Sequence, residues 1–261
     1  MTQNEMNVLV PKKLKELERE YDMRVLLAVE SGSRAWGFAS PDSDFDVRFI
    51  YVHKPEFYLR LEERRDVIEV PVDDTWDVSG WDLDKTLRLL FRSNPTLFEW
   101  LNSPITYFED GFRERIAPCA KRFFSQKNML YHYLNTASNN VKHYLQSDEV
   151  QPKKYFYALR PILACKWVLE NNSAPPVPFA ELVEAELPEY LSGAVQRLLE
   201  IKINAAEKEK IPHFTEIDKF LADNIVRLDE IMETIPKRER VEWETLDGFF
   251  LDEVSRGREF C

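Results

Sequence analysis

The run MRVLLAVE (residues 23–30) is almost continuously apolar and stops at Ser31-Gly32, which predicts a buried strand closed by a turn. Ahead of it, Leu14 and Leu17 stand at helical spacing among lysines and glutamates, so a first helix is expected from Pro11 to about Tyr21. Beyond it, the small residues Ser31, Gly32, Ser33 and Ala35 predict a turn into a short helix ending near Gly37, and SPDS (40–43) breaks the chain again. DFDVRFIYV (44–52) alternates between faces as a second strand, and VIEVPV (67–72) and TWDVSGW (75–81) supply one or two more. The period then changes. Leu83, Leu87 and Leu90 mark a helix with Asp82 as its N-cap and a stop at Asn94-Pro95. Downstream, helices are expected at 96–102, 111–124, 128–146, 154–172, 179–208 with a break near Pro188, and 214–235, with a weaker one at 245–256. A mixed front and an all-helical back give an α+β fold in two domains, 1–107 and 108–261.

Composition narrows the class. No stretch approaches the roughly 18 apolar residues of a membrane span, and MTQNEMNVLVPKKLKELERE lacks the apolar core of a secretory signal. A cytoplasmic protein without a membrane partner is expected. Cys119, Cys165 and Cys261 are odd in number and far apart, which suits neither a disulfide framework nor a zinc site. The net charge of −11 speaks against a general nucleic-acid binder, because phosphate contacts are made mostly by Lys and Arg. Residues 121–167, however, carry 8 basic and 2 acidic side chains, a local surface for an anion or a solvated helix face.

Residues i and i+2 of a strand share a face, so Asp44 and Asp46 set two carboxylates side by side with Phe45 buried opposite. Such a pair needs a compensating cation, and a divalent metal such as magnesium, which favours carboxylate and phosphate oxygens, is the simplest one. Just upstream, the Gly32-Ser33 turn at a helix start offers backbone N–H groups and a hydroxyl to the phosphates of a triphosphate. The chemistry implied is attack at a nucleotide's phosphorus in the two-metal manner. A third carboxylate from a neighbouring strand would help hold the metal or take the acceptor's proton. Asp77, inside TWDVSGW, is the choice; Asp73 and Asp74 read as turn residues. Arg48 shares the face of Asp46, where it orients the carboxylates, touches phosphate or makes a structural ion pair. Ser43 either bonds a metal-bound carboxylate or caps its turn, and Glu30, closing the first strand, is expected to be solvated.

Gly32-Ser33 followed by Asp44-Phe45-Asp46 resembles the signature of the DNA polymerase beta nucleotidyltransferase superfamily. The fuller stretches GSRAWGFASPDSDFDVRFIYV, DVSGWDLDKTLRLLFRSNPTLFEWLNSP and KKYFYALRPILACKWV are similar to a bacterial and phage subgroup associated with RNA repair. The resemblance implies a small polymerase-beta-like palm followed by a helical domain, and activity with a nucleoside triphosphate and magnesium or manganese. It leaves the acceptor open among nucleic-acid ends, small molecules and proteins, of which an RNA end is preferred. Positions 153, 157, 160 and 164 form one helical stripe, and superfamily members set Lys, Arg and Tyr of the helical domain against the triphosphate, which assigns Lys153 and Arg160 to phosphate. His132 and His143 are expected to be partly buried structural residues, Trp100 a core residue, and YFY (155–157) core more readily than a stacking platform. A nucleotide-sensing module without catalysis and a metal-dependent nuclease are the competing classes.

Overall fold

The computed structural model describes residues 1–73, 76–204, 209–239 and 241–256. Its first helix, α1 (Gln3–Tyr21), starts well ahead of Pro11. Thr2 and Glu5 form a capping box, and Met6 and Val10 extend the buried stripe of Leu14 and Leu17. Pro11 forfeits a backbone hydrogen bond inside the helix. Burial of the two extra apolar side chains, worth about 1.5–3 kcal/mol each, offsets that loss.

β1 (Met23–Glu30), α2 (Gly32–Trp36), β2 (Phe45–His53), α3 (Pro55–Tyr58), β3 (Val67–Asp73) and β4 (Trp76–Asp82) follow. Next come α4 (Leu83–Phe91), α5 (Pro95–Leu101), β5 (Thr106–Glu109) and α6 (Phe112–Phe123). The strands form one mixed sheet in the order β3-β4-β2-β1-β5, with β2 and β4 parallel and the other neighbours antiparallel. One face holds the core under α1, where Val25, Ala28, Phe45, Val47, Phe49, Tyr51, Ile68, Val78 and Tyr107 cluster with the α1 stripe. Gly80 belongs to that face because a Cβ there would lie 2.2 Å from the Phe49 ring. β5 falls where the sequence suggests a domain boundary; four residues, three of them exposed, are too few to show an alternation.

The remaining elements are α7 (Gln126–Tyr144), β6 (Glu149–Val150), α8 (Pro152–Asn171), α9 (Phe179–Glu186), a 3₁₀ turn (Glu189–Leu191), α10 (Ser192–Asn204), β7 (Ile211–Pro212), α11 (Thr215–Thr234) and α12 (Glu244–Arg256). The α+β class expected from the sequence is the class observed. No described helix is long and apolar enough to cross a membrane. Cys119 and Cys165 are buried free thiols, whereas Cys261 and Asp74 lie outside the described residues.

The chain divides into two compact units, Met1–Gly32 with Asp44–Phe123 and Arg240–Cys261, and Ser33–Ser43 with Phe124–Glu239. A single cut at 107/108 does not describe this division. α6 and α12 stay with the sheet, since Arg115 bonds Glu253 through Nε at 2.5 Å and Nη2 at 2.9 Å. Segment 33–43 goes with the helices because Phe38 packs on Phe156 and Phe179, at ring distances of 4.7 and 5.6 Å. Within that second unit α8 is the central element, buried from Tyr155 to Val168 over most of its length.

Candidate active site

Asp46 and Asp77 are register partners on the parallel strands β2 and β4, so their side chains leave the same face of the sheet. Phe45 points the other way and is buried, as the alternation requires. Arg48, two residues along β2, lies between the carboxylates. Its Nη2 donates to Asp46 Oδ1 and to Asp77 Oδ2, both at 2.8 Å, and its Nη1 donates to the Asp77 carbonyl at 3.2 Å. Arg48 thus makes an ion pair with each of the two carboxylates. Asp44 stands exposed just before the first residue of β2. Among the described residues no group of three or more His, Cys, Asp or Glu side chains gathers in a metal-holding arrangement, and the guanidinium is the cation that compensates Asp46 and Asp77.

The turn before β2 is fitted to Asp46. Gly32 has φ +59°, and a Cβ built on it would lie 2.2 Å from Asp46 Oδ2. A glycine is therefore demanded twice, by the backbone and by the carboxylate. The Ser31 amide donates to the Asp46 carbonyl at 2.8 Å, which ties the turn to the strand. The Asp46 and Asp77 carboxylates offer hard oxygens of the kind a divalent cation prefers, with the Arg48 guanidinium seated between them.

Glu30 departs from expectation. It is fully buried, its Oε1 accepts from the Asp46 amide at 2.7 Å, and its Oε2 accepts from the Tyr107 hydroxyl. Ser103 Oγ donates to the Glu30 carbonyl at 2.6 Å. Antiparallel pairing of Glu30 with Val47 aims this carboxylate at the core face, beneath the strand that presents Asp46 from the other face. Glu30, Tyr107 and Ser103 are thus a support for Asp46 that sequence reasoning missed. The available signal was a carboxylate closing an otherwise apolar strand.

Other assignments resolve locally. Asp82 caps α4 by accepting from the Asp84 amide at 2.8 Å. Burial pushes its carboxyl up to about 7 despite that bond and the one from Tyr58. Trp100 is buried and stacks on Trp81 at 3.8 Å, as a core residue should. Ser33 lies on α2 and its carbonyl accepts from the Phe38 amide. Ser43 is buried; its Oγ accepts from the Ser40 amide and meets Ser40 Oγ, each at 3.0 Å, so it fixes its own turn. Lys202 Nζ donates to Ser40 Oγ at 3.1 Å and anchors the same turn. Lys153 is half-buried near the start of α8. Arg160 is 2 % exposed; its guanidinium covers the Trp36 ring at 4.6 Å and donates to the Val177 carbonyl at 3.3 Å. His132 and His143 are exposed on α7 rather than partly buried, because they fall on the face opposite Met129, Tyr133 and Ala137.

The chain is 43% identical over 243 residues to the uncharacterized protein YcgL of Bacillus subtilis (strain 168), covering 92% of this chain and 94% of that one. A solved nucleotidyltransferase-like protein from Exiguobacterium sibiricum 255-15 aligns over 93% of this chain and 78% of its own, at 14% identity and a TM-score of 0.31. A family model matches residues 6–252, including the glycine turn, both paired aspartates, Glu30 and the whole of α8. The chain belongs to the RNA repair pathway DNA polymerase beta family (RlaP).

Proposed function

We propose that this chain is a metal-dependent nucleotidyltransferase that moves a nucleoside monophosphate from a nucleoside triphosphate to the hydroxyl of an RNA end, releasing pyrophosphate. The observation that carries the reading is the register pairing of Asp46 with Asp77 beside a turn whose glycine has room only for Asp46. Asp44, Asp46 and Asp77 would hold magnesium or manganese, which neutralises charge on the phosphate oxygens during displacement. Arg48 holds the two paired carboxylates in position, and Glu30 fixes the backbone from which Asp46 projects. Gly32 and Ser33 present the turn to phosphate, and Asp77 either helps hold the metal or takes the proton of the attacking hydroxyl. Lys153 supplies a phosphate-binding cation, while Arg160 contributes indirectly by holding Trp36 at the end of α2.

Incubation with each of the four α-labelled triphosphates, magnesium or manganese and a mixture of RNA, proteins and metabolites tests the reading by where the label goes. Asp46→Asn and Asp44→Asn should each lower transfer on the order of 10³-fold or more with the fold retained, since the metal's stabilisation of the transition state is lost. Near-unsubstituted transfer by either variant overturns the two-metal reading. The net charge of −11 favours a second acceptor class, a small molecule or a protein side chain, and label in either of those fractions selects it.

A further inference from the structure

The second unit carries a row of three rings and two cations. Lys154 Nζ sits 3.6 Å above the Tyr144 ring and 5.6 Å from the Tyr157 ring. Tyr157 meets Trp36 edge-on at 5.9 Å, and the Trp36 ring carries the Arg160 guanidinium at 4.6 Å. The row runs from a buried end at Arg160 to an exposed end at Tyr144, which is 47% exposed at the last turn of α7. Lys142 and His143 are exposed beside it, and Lys153 neighbours Lys154. This is the basic stretch of an otherwise acidic chain, with 8 basic and 2 acidic residues between 121 and 167. Burial, and then the charge of Lys153, lower the Lys154 pKa, so an arriving anion relieves a cation that the protein itself holds at a cost.

We propose that this row is a seat for single-stranded RNA, with bases stacking on Tyr144 and then Tyr157 and with Lys142 and Lys154 neutralising phosphates. A ring exposed at Tyr144 and one half-buried at Tyr157, with the Lys154 ammonium between them, suit unstacked bases, whose π-faces a duplex hides, and every base offers such a face. A protein partner would use the lysines but has little need of rings spaced along a line. The inference rests on the reading above for the choice of RNA, and it gives the acceptor strand a place on the helical unit.

The test is fluorescence anisotropy of a labelled 12-nucleotide RNA with the full chain, without triphosphate or divalent cation, so that a failure of nucleotidyl transfer leaves the measurement intact. Tyr144→Ala should weaken binding about 5-fold or more, the lower end of what losing one stacked base costs. Tyr144→Phe, which keeps the ring, should bind as the unsubstituted chain does. Lys142→Gln and Lys154→Gln should each reduce the slope of log affinity against log salt by about 0.7, the value for one phosphate contact on a single strand. Asp46→Asn should retain RNA affinity while losing transfer, which separates this surface from the carboxylate site. The proposal is overturned if the chain does not bind the strand at low salt, if Tyr144→Ala binds normally, if Tyr144→Phe fails as Tyr144→Ala does, or if duplex RNA competes as well as the single strand.

Discussion

Glu30 sets the position of Asp46 from inside the sheet, through a bond to its amide and another from Tyr107 on β5. Truncating it deprives a buried amide and a buried hydroxyl of their acceptor, at about 1–3 kcal/mol for each group left unsatisfied. Glu30→Ala should therefore lower the unfolding free energy by about 2–4 kcal/mol, and Tyr107→Phe, which loses the bond to Glu30 and the one from Gln3, by about 1–2 kcal/mol. Guanidinium melts measure both, and a Glu30→Ala cost below that of Tyr107→Phe contradicts this account. A strand's period of two set Asp44 beside Asp46, but β2 begins at Phe45, and the pairing observed is that of Asp46 with Asp77 across two strands, which no local period prints. Glu30 was not legible either, because a carboxylate at a strand end reads alike whether it meets water or a neighbouring strand's amide. Arg48 stood between: its face was readable, whereas its ion pairs with both carboxylates needed the distances.

At the scale of elements, local signals served well and distant ones were silent. The Asp82 cap of α4 was visible from its place before an apolar periodicity, but the lid over it was not. Tyr58 comes from α3, and its hydroxyl donates to both Asp82 oxygens, at 3.1 and 3.2 Å. Burial raises the Asp82 carboxyl to about 7, above its ordinary value of 3.8. Because the folded value is the higher one, the stabilisation from the protonated form is full below about pH 3.8 and is lost as the pH rises through about 7. Asp82→Asn keeps an oxygen for the Asp84 amide, and Asn caps as well as Asp. The variant should then melt above the unsubstituted chain at pH 8 by a margin that shrinks at pH 5. A margin independent of pH, followed by differential scanning calorimetry, removes Asp82 from the titrating groups. The same contrast explains α1. Its periodic middle was evident, while its true start depended on the sheet beneath Met6 and Val10.

The whole first unit is closed by charges drawn from three separated parts of the chain. Glu253 of α12 is 1% exposed and takes two bonds from Arg115, 138 residues away in sequence, which also binds Asp110 at 2.8 Å. Arg24 of β1 completes the group with a bond to Asp110 at 2.6 Å and one to the Glu253 carbonyl at 3.3 Å. The Glu253 partnership raises the Arg115 pKa first of all, which marks a mutually held pair rather than two solvated ions. No periodicity within 245–256 could announce this anchor, and for that reason α12 reads from sequence as a weak tail helix. Breaking a buried pair by removing one partner costs about 3–5 kcal/mol, because the other charge stays behind. Arg115 retains Asp110 and about 20% of its side-chain surface in solvent, so the smaller figure of about 2–3 kcal/mol is expected for Glu253→Ala. Glu253→Gln, which keeps one acceptor oxygen but not the charge, should fall between that variant and the unsubstituted chain. Limited proteolysis adds a positional readout: in Glu253→Ala new cleavage should appear within 241–256 before any within α8, since only the anchor of α12 has been cut. Cleavage that begins in α8, or a Glu253→Ala chain as stable as the unsubstituted one, would remove the ion-pair group as the closure of this unit.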